Sequence, residues 1–155
     1  MRLYKGACMK VENGNILLDD EIVILDNVVM IDVVQVGSHF DKPKFALSII
    51  YKDGTNRTIA MTVDNSKSKL FRQLNKLGKQ IINEGNDNYA NLGFSLINME
   101  YINSVKYDKV DEKIIILSFG RHVNSFRATH AQAKRTLSKV EDAYDKYNQS
   151  RVQQL

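Results

Sequence analysis

Between Lys113 and Lys139 the chain carries six basic residues and no acidic one. Aromatic rings interleave with that charge in the set Phe119, Arg121, His122, Phe126, Arg127, Lys134 and Arg135, and Lys139 follows Arg135 by four residues. Rings stack on bases while cationic groups hold phosphates, so this mixture could grip single-stranded DNA or RNA, or an acidic partner. A matching set, Lys67, Lys69, Arg72, Lys76 and Lys79, lies on an earlier helical stretch, with Lys67 and Arg72 as its contact candidates. The competing reading is ordinary surface chemistry. Strand alternation groups Phe119 with Leu117 and Ile115, which makes the rings core and the cations a solvated face.

Catalytic chemistry finds little support. The three histidines, His39, His122 and His130, include no pair at the i, i+4 spacing of a helical metal site. No Gly-x-Ser-x-Gly elbow surrounds any serine, and Ser118-Phe119-Gly120 fits the end of a strand. Asp111-Glu112-Lys113 has the residue types of a metal-dependent nuclease, but neighbouring residues on a strand point to opposite faces. The glycines stand singly, so no phosphate-cradling loop is present. These observations predict no enzyme, no metal and no cofactor.

The single cysteine, Cys8, excludes an internal disulfide and a cysteine-based zinc site. At 155 residues, 43% of them hydrophobic and 26% charged, the chain has the composition of a folded domain. The first residues, Met1-Arg2-Leu3-Tyr4-Lys5-Gly6, lack the apolar core of a signal peptide, and runs such as Val28–Ile31 fall far short of a membrane span. A cytoplasmic protein with no membrane association is the expectation. The net charge of +4 is unevenly placed: residues 1–40 carry three basic and six acidic residues, residues 41–85 nine and four.

Two similar phrases must position these residues. One runs Ile22-Val23-Ile24-Leu25-Asp26-Asn27-Val28-Val29-Met30-Ile31-Asp32-Val33, the other Phe94-Ser95-Leu96-Ile97-Asn98-Met99-Glu100-Tyr101-Ile102-Asn103-Ser104-Val105-Lys106-Tyr107. Each joins an apolar run, a polar corner and a second β-rich run, then leads into a hairpin and an amphipathic helix. Before the first phrase, Asn13-Gly14 predicts a type I′ hairpin. Val28–Val36 is apolar on both faces and predicts a central strand. Phe45–Tyr51 and Arg57–Val63 flank the Asp53-Gly54 turn, with Ile59, Met61 and Val63 expected inward. Asp64-Asn65-Ser66 supplies a helix cap, and Leu70, Leu74, Leu77 and Ile81 make a helical stripe ending near Gly85. Gly78 interrupts that helix, which close packing on a sheet would explain. Asn86–Asn91 reads as a polar joint. Strands near Phe94–Ile97, Ile102–Tyr107, Ile114–Phe119 and Val123–Ala128 follow, then a helix with the stripe Ala133, Leu137, Val140, Tyr144 and Tyr147.

The strand order of the first 85 residues, with the phrase Ile24-Leu25-Asp26-Asn27-Val28, resembles the pleckstrin-homology-like barrels of bacterial proteins. The layout of strands plus helix, twice over, is also similar to that of Whirly-type single-strand DNA binders. The first resemblance implies a module that binds peptides, lipids or proteins, in a family that is seldom catalytic. The resulting expectation is an α+β protein of two related strand-rich units packed as one body. Residues 1–85 form a unit closed by a helix over 66–84. Residues 86–155 form a shorter unit closed by a helix over 130–148. The expected function is non-catalytic binding or regulation through another protein. The alternative is a nucleic-acid binder using Arg121, His122, Arg127, Lys134, Arg135, Lys139, Lys67 and Arg72.

Overall fold

The computed structural model describes residues 9–36, 44–62, 67–118 and 123–153. Its centre is an antiparallel sheet of five strands in the order β6-β5-β4-β8-β7: β4 (Val28–Val36), β5 (Lys44–Tyr51), β6 (Asn56–Thr62), β7 (Tyr89–Asn91) and β8 (Ser95–Asn98). One face is covered by α1 (Lys67–Asn83) and by a small sheet of β1 (Lys10–Glu12), β2 (Asn15–Leu17) and β3 (Ile22–Ile24). The opposite face is covered by a second three-stranded sheet and by α2 (His130–Gln153). That sheet comprises β9 (Ile102–Asp108), β10 (Lys113–Ser118) and β11 (Val123–Arg127). The fold is α+β, with a helix following each run of strands. No described helix is long and apolar enough to cross a membrane.

Strands from both halves of the sequence share the central sheet, so two hydrophobic cores lie back to back across it. β4 is its middle strand and feeds both. A bulge between Val28 and Met30 breaks strict alternation. Val28 and Ile31 therefore enter the core beneath α1, while Val29 and Met30 enter the core beneath α2. A second register shift, opposite Leu47 and Ser48, changes the inward set on β6. Ile59, Ala60 and Thr62 are buried there, and the expected Met61 is only half-buried. Val63 and the cap at residues 64–66 lie outside the described residues, as do the loop at 37–43 and the turn at 120–122.

The polar corners of both phrases are short 3-10 turns, at Leu25–Asn27 and Met99–Tyr101. They lie against each other. The buried Tyr89 hydroxyl donates to the Leu25 carbonyl at 2.6 Å, and Asn98 Nδ2 donates to the Val28 carbonyl at 2.8 Å. Tyr101 donates to the Asp26 carbonyl at 2.6 Å. The segment expected as a joint thus contains a three-residue strand, too short to display a period of two.

Helix α1 buries the predicted stripe, Leu70, Leu74, Leu77 and Ile81, together with Gly78. A Cβ on Gly78 would stand 2.5 Å from Leu96 Cδ2 and 2.8 Å from Asn91 Nδ2, so a larger residue here must displace those side chains. α2 starts with a capping box: the Gln132 N–H donates to Thr129 Oγ1 at 3.2 Å, and the Thr129 N–H donates to Gln132 Oε1 at 2.9 Å. Its packed face runs through Ala133, Thr136, Val140, Ala143 and Tyr147. Tyr144, expected in the stripe, is 50% exposed, because the buried face steps by three rather than four residues at that point.

Candidate binding cleft

A cleft of about 600 Å³ opens where the central sheet and the C-terminal sheet part company. Its origin is local. The chain turns tightly between β7 and β8: the Leu92 N–H donates to the Ser95 carbonyl at 2.9 Å, and Gly93 adopts φ +89°. Asn75 Nδ2, on α1, donates to the Gly93 carbonyl at 3.1 Å and pins the turn to the helix. β8 therefore begins only at Ser95 and pairs with β4 from Met30 to Asp32, while β4 runs on to Val36 beside β5. The space β8 leaves is the cleft. Val33 and Gln35 of β4 form one side of it.

The floor is apolar. Phe94, in the turn, packs against Phe126 of β11 with ring centroids 4.5 Å apart and planes tilted by 49°. Phe45 and Phe71 line the α1 side. Phe126 is thus half-buried at the floor, neither wholly core nor free. Phe119 lies outside the described residues.

Four of the basic residues singled out in the sequence meet here. Lys67 comes from the start of α1, Arg127 from β11, and Arg135 and Lys139 from successive turns of α2. They are 60 to 72 positions apart in sequence between the two sets, yet no described residue lining the cleft is acidic. The Lys67 ammonium sits 4.5 Å above the Phe45 ring. None of these four cations forms an ion pair with a described carboxylate. Lys134 and Arg72 are exposed but do not line the cleft. Arg121 and His122 are outside the described residues. Gln132 and Thr136 complete the α2 wall. Arg127 also borders a smaller hollow of about 390 Å³ that contains Asp111 and Glu112.

Asp32 escaped the sequence reading. It is 1% exposed, on the face of β4 turned toward β11. Ser95 Oγ and Asn124 Nδ2 each donate to its carboxyl, so it ties β4 and β8 to β11, the strand that carries Phe126 and Arg127. Burial lifts its pKa from 3.8 to about 7, against the lowering effect of the two hydrogen bonds. The available signal was a carboxylate inside a nine-residue strand that is apolar apart from it and Gln35. Phe94 was legible too, since Leu92-Gly93-Phe94-Ser95 has the glycine of a tight turn.

Among the described residues, no group of three or more His, Cys, Asp or Glu side chains could hold a metal ion. The cleft itself offers donors and apolar surface. Such a lining can bind and orient an anionic, partly apolar ligand. Comparison with known proteins finds no similar family model, curated protein or solved structure.

Proposed function

We propose that the chain is a non-catalytic binding module of the cytoplasm that takes an acidic segment of another protein into this cleft. It is built from two related pleckstrin-homology-like units. In support of the duplication, β3 and β8 each open the same succession of strand, 3-10 turn, three strands and helix. The observation that carries the binding reading is the convergence of Lys67, Arg127, Arg135 and Lys139 on a phenylalanine floor with no described carboxylate among them. Complementary charge would steer the partner and set its register, and the apolar floor would supply the contact area.

A nucleic acid is the second reading, favoured by the same rings beside the same cations. Two details weigh against it. Base stacking needs an open ring face, but Phe45 is 7% exposed and capped by the Lys67 ammonium. Phe94 and Phe126 already lie against each other.

Fluorescence anisotropy with short labelled peptides alternating Glu with Leu or Phe tests this, beside an oligo-dT of matching length. Replacing Arg127, Arg135 and Lys139 by Gln removes three exposed charge pairs at ~0.5 kcal/mol each, about tenfold in Kd. The peptides should bind the wild-type chain, and the triple variant should bind them about that much more weakly. Failure of every peptide to bind ends the protein-partner reading. Binding of oligo-dT alone, lost in the triple variant, establishes the second reading in its place.

A further inference from the structure

The mode of docking is written in the lengths of three strands. β4 pairs with β5 from Val28 to Val36, yet β8 accompanies it only from Met30 to Asp32. From Val33 to Val36 the β8 side of β4 has no strand partner among the described residues. Alternate backbone N–H and C=O groups of that stretch face the cleft, which is the condition under which a sheet edge accepts another chain. Val33 and Gln35 are themselves cleft residues. The edge lies beside cations that form no ion pair with a described carboxylate, so its occupant carries negative charge.

We infer that an extended acidic segment of the partner protein adds as a strand to β4 along Val33–Val36, in the place that β8 gives up at Ser95. This rests on the protein-binding reading above. Successive side chains of the added strand point to opposite faces of the sheet. One set would meet Phe71 and Lys67 on α1, the other Phe126, Arg135 and Lys139 on β11 and α2. Each wall pairs a ring with one or more cations, so a segment mixing apolar and acidic residues satisfies both. The edge also discriminates between polymers. It offers donors and acceptors alternately, as a peptide does, whereas a phosphodiester backbone carries acceptors only and leaves the β4 carbonyls unmatched.

Hydrogen–deuterium exchange on the full chain, with and without the Glu/Leu peptide, reads the edge directly. Alternate amides within Val33–Val36 should slow at least tenfold when the peptide is bound. In parallel, peptides N-methylated at one backbone position each should lose affinity in an alternating pattern, because only every second N–H of an added strand is bonded to β4. A peptide that binds, weakens with the triple Gln variant, yet leaves those amides unchanged and tolerates methylation everywhere, overturns strand addition and leaves the binding reading intact. Absence of any peptide binding, or binding of oligo-dT in its place, overturns both.

Discussion

Asp32 is the only charged side chain among the buried described residues, and its environment gives it a definite pH signature. With its pKa moved from 3.8 to about 7, the folded chain holds a proton there that the unfolded chain releases. Between those values the native state binds more protons than the unfolded one. The stability this contributes is therefore full below about pH 3.8 and is lost as pH rises through about 7. The span corresponds to up to about 4 kcal/mol. Asp32→Asn keeps the shape and removes the titration. Its melting temperature should change little between about pH 5 and pH 8, where that of the wild type should fall. An equal fall in both proteins would assign the effect elsewhere. One residue in an apolar strand was visible in the sequence as an oddity, but its partners, Ser95 and Asn124, are more than sixty positions away and only the fold names them.

Elements differ in how plainly the sequence announces them. The buried stripe of α1 follows from periodicity, since its apolar residues recur over enough positions to define a face, and β4 follows from being apolar on both faces. β7 did not, being three residues long. Bulges beside Val28 and Leu47 shift which side chains face inward by one position, and no propensity marks them. The basic residues of the cleft were legible as two sets. Their convergence was not, because it depends on a sheet shared between the halves. α1 offers a test of how tightly the elements are joined. Gly78→Ala gains up to ~1 kcal/mol of helix propensity but forces a methyl group against Leu96 and Asn91, and such overpacking costs ~1–3 kcal/mol. Urea denaturation should show a net loss of about 1 kcal/mol. A gain would mean that the Leu96 and Asn91 side chains give way without penalty.

At the scale of the molecule the two halves are not separable modules. The central sheet needs β8 beside β4, and the Val29, Met30 and Ile50 side chains of the first half are buried in the core that α2 and the C-terminal sheet complete. A fragment of residues 1–85 would expose that apolar face, so it should be unfolded or aggregated by circular dichroism and size-exclusion chromatography. The whole chain should melt in one transition. A soluble, cooperatively melting fragment would show that the first half closes on its own.

The tyrosines that lock the paired 3-10 corners have a consequence for biosynthesis. Tyr89 and Tyr101 reach carbonyls that left the ribosome 64 and 75 residues earlier. Throughout that interval the nascent chain can form the hairpin of β5 and β6 but not the layer that shelters its far side. Translation thus holds a greasy half-sheet in waiting, and any chaperone that attends this protein has its window until α2 (His130–Gln153) emerges.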